Sequence, residues 1–326
     1  MDRCWTVPVT MAASAFLICM PWTWFGLLLV LFVEKFDVTR ETASWPKSVA
    51  IMLSHLSGLV VYALQRRIKT FYIVLHSTIL TSAAFITAAF APNMFWMTIT
   101  VGVIHENRRC ADQTDKAAQP ESSPLKDVLA LFTTPSFYVL LGAILVGDYT
   151  GVEFLSTIVD YGVDKGFELG SAQHLVTFSS AGQLVGRIIV PVLADCVPST
   201  RRPLYAFSFA AFGVCMMTMP QVNLILPALV LATLAGVVQG YIMCIRYVLL
   251  AEYLGVERTA ASSGIVGVAM VPLSLVSPVI IGHFRDATGS YDSYYQMLGI
   301  ISLVAAVLFA THDFCHKKCT RDAQSQ

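Results

Sequence analysis

Charge is what this sequence has least of. Only 13% of its residues are Asp, Glu, Lys or Arg, while 56% are hydrophobic and the mean hydropathy is +0.67. Soluble domains carry roughly 25% charged residues. A chain this poor in charge cannot cover a water-soluble core, so it reads as an all-α polytopic membrane protein. The formal net charge is zero, which excludes a nucleic-acid binder steered by bulk positive charge. Asn-x-Ser/Thr acceptors are absent, and so are a Walker motif, a dinucleotide fingerprint and a nucleophile elbow. An enzyme is therefore not expected, nor a cofactor. The eight cysteines, at 4, 19, 110, 196, 215, 244, 315 and 319, show no framework spacing. The tail His312-Asp313-Phe314-Cys315-His316-Lys317-Lys318-Cys319 has the ligand types of a zinc site. It reads instead as a basic juxtamembrane segment, and no metal is expected.

What is present is apolar length. Windows of about 20 apolar residues, enough to cross a bilayer core of roughly 30 Å, fall at 8–33, 45–64, 70–90, 137–159, 172–194, 203–220, 224–250, 260–282 and 294–311. The first follows Arg3 and is too long for a cleavable leader, so it reads as a spanning helix that also serves as insertion signal. A tenth window, 93–105, has thirteen residues before Glu106, Arg108 and Arg109 interrupt it. If it crosses, fourteen Lys and Arg collect on one side and five on the other, Lys35, Arg40, Lys47, Lys165 and Arg285. That asymmetry puts both termini in the cytoplasm. The expected plan is about ten spans. An incomplete first bundle of four occupies 1–105, a cytoplasmic linker 106–132, a six-helix bundle 133–311 and a cytoplasmic tail 312–326. A carrier made of two pseudo-symmetric six-helix bundles would hold two more spans in its first half.

Two arginines lie inside the apolar windows, Arg187 and Arg246. A guanidinium cannot shed its proton and is costly to hold in lipid, so each marks a solute path or an internal ion pair. For Arg187, Asp148 in the preceding antiparallel window is the best partner by depth, the two differing by roughly 6 Å along the membrane normal. Glu153 lies about 140° round that helix. Arg246 comes out close to Arg187 in depth, with snorkelling to the inner surface as its plainer reading.

Several fragments carry a family likeness. Asp2-Arg3-Cys4-Trp5 is a degenerate form of an acidic-Gly-Gly-Trp opening. Phe32-Val33-Glu34-Lys35-Phe36 leads into Thr39-Arg40-Glu41-Thr42-Ala43-Ser44-Trp45, close to an R-x-E-T-S-W loop with one residue inserted. Leu193-Ala194-Asp195 is followed by Arg201-Arg202. Ser277-Pro278-Val279-Ile280-Ile281-Gly282 and Asp286-Ala287-Thr288-Gly289-Ser290-Tyr291 fit P-x-x-G and D-x-T-G-x-Y. In order and spacing, over 2–104 and 135–311, the chain resembles the monocarboxylate-transporter family of the major facilitator superfamily.

The resemblance implies a secondary carrier of a small organic anion, working by alternating access in the plasma membrane. It implies that Arg187 holds the substrate carboxylate, with Asp148, Gln183, Arg246 and Tyr247 beside it, Tyr247 standing at an aromatic gate. Asp195, Arg201 and Arg202 match a cytoplasmic latch. Two departures bear on proton coupling. Gln183 stands where proton-linked members have an acid, and Gly26 where they have a lysine. Proton symport would then need Asp148 or Glu153 as stand-in, and facilitated exchange of an anion is the other expectation. The partners implied are the lipid bilayer, the anion, and a single-span glycoprotein companion or a full-length relative. The alternative reading is a shortened, non-transporting product that at most binds such a relative.

Overall fold

In a computed structural model the described residues are 25–65, 79–80, 83–84, 86–104, 131–195 and 200–324. They are helical throughout, joined by short turns. Helix α1 covers 25–36 and buries Phe25, Leu29 and Phe32 at i, i+4 and i+7. It ends at Asp37, whose φ of 49° is the left-handed conformation that Asp tolerates. Helix α2 is Arg40–Gln65. Helix α3 starts at Met94–Met97, where the Asn93 side chain accepts the Trp96 N–H, and runs into a π-helical stretch, Thr98–Ile104. Residues 8–24 of the expected span 8–33, residues 70–78, 81, 82 and 85 of the expected span 70–90, and the linker up to residue 130 lie outside the described residues. Leu131 is fully buried, so the end of the expected linker already belongs to the bundle.

The second half holds six helices: α4 Pro135–Asp164, α5 Leu169–Asp195, α6 Arg201–Thr218, α7 Ile225–Leu254, α8 Val256–Gly282 and α9 Asp292–Gln324. Pro135 opens α4 at a position whose N–H would have no helical partner. Gly255, with φ 90°, separates α7 from α8 at an angle that a side chain would resist. All six are long and apolar enough to cross a membrane. The chain is thus an all-helical, multi-pass membrane protein. Each helix extends past its apolar window at one end or both, where polar residues still belong to the helix. Helix α9 continues unbroken through 312–324, where His312 bonds Ser136 and Tyr253 donates to Asp313.

Glycine sets the closest helix contact. Gly182 and Gly186 of α5 lie against the Thr233 and Val237 carbonyls of α7, and Gly236 and Gly240 of α7 against those of Ser179 and Gln183. Each pair has the four-residue spacing that puts both glycines on one face, so the backbones touch. The pairings 179 with 236 and 183 with 240 make α5 and α7 parallel. Gly213 and Gly299 bring α6 and α9 together in the same way. Helix α2 lies along α8, with Glu41 at Gly282 and His55 near Gly267. The outer faces expose Phe178, Ile188 and Val192 on α5 and Val304, Val307 and Leu308 on α9, as lipid contact requires.

Candidate functional site

Helix α4 carries Glu153 and Asp160 seven residues apart, hence on one face, with Asp148 about 140° round from Glu153. Helix α2 carries Arg40 and Lys47 with the same spacing. The two antiparallel helices match the four residues in two rungs. Arg40 Nε donates to Asp160 Oδ2 at 3.1 Å, and Lys47 Nζ donates to both Glu153 oxygens at 2.9 and 3.0 Å. The inner rung is dry, its side chains 5% and 2% exposed. Its oxygens are saturated: Ser277 donates to Glu153 Oε1 at 2.6 Å and Tyr294 to Oε2 at 2.8 Å. Lys47 also reaches Ser156 at 3.1 Å and Ser277 at 3.3 Å. Helices α2, α4, α8 and α9 therefore meet at one buried charge pair. A small cavity beside it is lined by Phe25, Leu29, Phe32, Ala43, Ser44, Lys47 and Ser156.

The outer rung is tied into the turn between α8 and α9. Asp286 accepts the backbone N–H of Arg40 at 3.2 Å and of Glu41 at 3.1 Å, capping α2 from a distant part of the chain. Tyr291 donates to Asp160 at 2.6 Å. Burial pushes the Tyr291 phenol well above its ordinary value, and the Asp160 charge adds to the rise. Arg285 pairs with Asp164 at 2.8 Å and Lys165 with Asp292 at 2.8 Å. The R-x-E-T and D-x-T-G-x-Y fragments, known from the sequence only as marks of likeness, are two sides of one contact. Asp286→Ala should lower stability by about 1–2 kcal/mol, the loss of a charged helix cap. Thermal unfolding in detergent would read this, with Asp286→Asn intermediate.

Arg187 sits on an exposed flank of α5 and donates to Gln183 Oε1 at 3.2 Å. Gln173, Thr177, Ser180, Gln183 and Arg187 fall within about 120° of one another, a polar stripe beside the glycine contact. Gln183 is buried, and its Nε2 has no hydrogen-bond partner among the described residues.

Asp148 is bonded differently from expectation: its carboxylate forms an ion pair with Arg246 of α7. Gly147 and Gly151 let α7 approach this face of α4, where Gln239 Nε2 donates to the Gly147 carbonyl at 2.7 Å. Depth alone could not show that Asp148 points toward α7. Arg246 is accordingly held inside the bundle, its side chain 22% exposed, and does not snorkel. It donates to the Tyr247 hydroxyl at 2.9 Å and lies over the Tyr247 ring, which is itself exposed.

Arg201 and Arg202 both pair with Glu252 at the end of α7, at 3.2 and 3.3 Å, and Arg202 reaches Asp313 at 3.8 Å. The Asp195 side chain lies outside the described residues. Glu252 and Asp313 were not singled out from sequence. The charge count puts Lys47 among the five basic residues of the outer side, and the structure buries it. The available signal was the matched seven-residue spacing, whose paired residue numbers add to a constant as antiparallel neighbours must. Gly26, the position that counting back from Glu34 gives for the lysine implied by the resemblance, has no room for one: a Cβ there would lie 2.5 Å from the Leu155 carbonyl oxygen.

Residues 136–318 match the Major Facilitator Superfamily. Among curated proteins, the chain is 33% identical over 129 residues to monocarboxylate transporter 10 of Danio rerio, covering 39% of this chain and 25% of the relative. It is 25% identical over 174 residues to monocarboxylate transporter 12 of Mus musculus, covering 53% and 36%. It is 24% identical over 184 residues to monocarboxylate transporter 1 of Homo sapiens, covering 55% and 36%. The matched region thus spans between a quarter and little more than a third of the length of these relatives.

Proposed function

The chain belongs to the major facilitator superfamily, and from that premise we propose that it is a secondary carrier of small monocarboxylates or related organic anions, working by alternating access. The observation that carries this is Arg187, a permanent cation on the polar stripe of an otherwise apolar spanning helix, steadied by Gln183. A guanidinium forks onto a carboxylate with two parallel hydrogen bonds, which a lysine cannot imitate. The names of the relatives point to the same class of substrate.

Arg246 is the second cation of the path. Asp148 neutralises it within the bundle, and Tyr247 presents an aromatic face beside it. Because α5 and α7 are parallel and in backbone contact, Arg187 and Arg246 lie within about two helical turns of each other along the axis. Arg201 and Arg202, clamped to Glu252 and Asp313, join the start of α6 to the ends of α7 and α9. That clamp holds α6, α7 and α9 together during rocking. The charge asymmetry supports cytoplasmic termini, and the plasma membrane is the membrane proposed.

Uptake of labelled lactate and pyruvate into proteoliposomes tests the reading. Losing a charge-assisted bond of roughly 1.5–3 kcal/mol should slow uptake by Arg187→Ala about ten- to a hundredfold, and Arg187→Lys should recover little of it. Uptake by Arg187→Ala equal to wild type would overturn the assignment. No uptake by either, with the protein correctly inserted, would favour a non-transporting role beside a full-length relative.

A further inference from the structure

Helix α9 continues past its apolar run, and its next turns pack against the starts of α4 and α6 and the end of α7. The Tyr253 ring of α7 touches two histidines one helical turn apart, His312 at 5.5 Å and His316 at 5.3 Å between centroids. The Arg202 guanidinium of α6 lies over the same ring at 4.4 Å. Asp313 accepts from the Tyr253 hydroxyl at 2.9 Å, and pairs with Lys317 at 2.7 Å and Arg202 at 3.8 Å. His312 Nε2 meets Ser136 Oγ, in the first turn of α4, at 3.0 Å. Ser136 stands just after the fully buried Leu131. The end of α9 thus fastens the place where the chain enters the six-helix bundle.

Histidine is the side chain whose ordinary titration falls between pH 5 and 8, and the contacts of His312 suit only its neutral form. Its Nδ1 is buried and has no hydrogen-bond partner among the described residues. The tautomer that fits carries its proton on Nε2 and donates it to Ser136. A second proton, taken from solvent at Nδ1, would form an N–H with no acceptor. It would also add a cation near Arg202. The carboxylate of Asp313 is already engaged by Tyr253, Lys317 and Arg202. From α4 the group facing His312 is the Ser136 hydroxyl, from α6 it is Arg202, and from α7 it is Tyr253. Behind Tyr253 lies Glu252, which Arg201 and Arg202 neutralise. Helix α9 itself adds Asp313, His316 and Lys317. We infer that His312 is the trigger of an acid-released clasp: neutral, it docks the end of α9 on α4 and α7, and protonated, it frees that end. The inference is independent of Arg187 and of what the protein carries. An undocked histidine titrates near about pH 6.5. Docking is therefore complete above about that value and is lost progressively as pH falls below it. Release uncovers the start of α4 and leaves the glycine contact of α5 with α7 intact.

Amide hydrogen exchange of the purified chain in detergent, between about pH 7.5 and pH 5.5 and corrected for intrinsic exchange, tests the clasp. Protection of 313–324 in the wild type should fall by up to about tenfold for each pH unit below about 6.5. Protection along the α5–α7 contact should hold over the same range. His312→Gln keeps a donor for Ser136 but has no proton to gain, so its protection should not change with pH. His312→Lys, with a fixed charge, should leave 313–324 unprotected at both ends of the range. His316→Phe should keep the acid response. Protection that is independent of pH in the wild type would overturn the inference, as would an undiminished acid response in His312→Gln. So would loss of the response in His316→Phe, full docking of His312→Lys, or a loss in acid that spreads equally to the α5–α7 contact.

Discussion

Lys47→Met should unfold at a markedly lower temperature than the wild type, and Lys47→Met combined with Glu153→Leu should regain most of the difference. The single change leaves a carboxylate that is 2% exposed and has no counter-ion. Breaking a buried pair by deleting one partner costs roughly 3–5 kcal/mol, whereas replacing both by apolar residues of similar volume is near neutral or stabilising. Ser277 and Tyr294 would still donate to Glu153 in the single variant, which places the loss toward the lower end of that range. In the double variant those two hydroxyls lose their acceptor, so recovery should fall short of complete. Intrinsic fluorescence followed through a thermal ramp in detergent would measure both. A Lys47→Met protein as stable as wild type would show that the pair does not form.

The helices of the second half were legible because a spanning helix needs an apolar run, and such runs can be counted along one segment. All six appear, each extended past its window by polar residues that hydropathy discards. Arg40 is the clearest case. It reads as a loop residue, yet it is the first residue of α2 because Asp286, far along the chain, caps that helix. Charged pairs were legible only in part. Axial depth can be estimated from residue counting, and it placed Asp148 at a suitable level for an arginine. The direction in which Asp148 points depends on which neighbour comes close. Gly147 and Gly151 decide that in favour of α7 and Arg246, a fact about two helices that neither states alone. Lys47 was hidden for a related reason. A lysine seven residues inside a helix end is normally able to reach water along its stem. Here its ammonium instead turns to a carboxylate on a helix more than a hundred residues away. The neighbouring rung unites two sequence fragments that had no visible connection, Arg40-Glu41 and Asp286 with Tyr291.

The largest loss of folding should come from the smallest side chain, a methyl group placed at Gly186 or Gly236. A Cβ at Gly186 would fall 1.9 Å from the Val237 carbonyl oxygen and 2.8 Å from its carbon, and one at Gly236 would fall 2.1 Å from the Ser179 oxygen. These obstacles are backbone atoms of a continuous helix, so no rotamer change relieves them, and α5 must move off α7. In lipid the separated faces gain nothing from water exclusion, and close packing is itself the main force holding the helices together. Overpacking of ordinary cores costs about 1–3 kcal/mol, and a clash between two backbones should reach or exceed the upper figure. The movement also carries Gln183 away from Gly240 and shifts Arg187 relative to Arg246, so any transport should fall with stability. Gly142 and Gly264 provide the control, since a Cβ at either meets nothing within 4 Å. Alanine there should be neutral or stabilising by up to about 1 kcal/mol, because glycine is a poor helix former. Monodisperse yield and unfolding temperature of Gly186→Ala, Gly236→Ala, Gly142→Ala and Gly264→Ala would separate the two classes. If Gly186→Ala behaved like Gly142→Ala, α5 and α7 could not be in backbone contact, and the parallel register that brings the two arginines to one part of the bundle would fall with it.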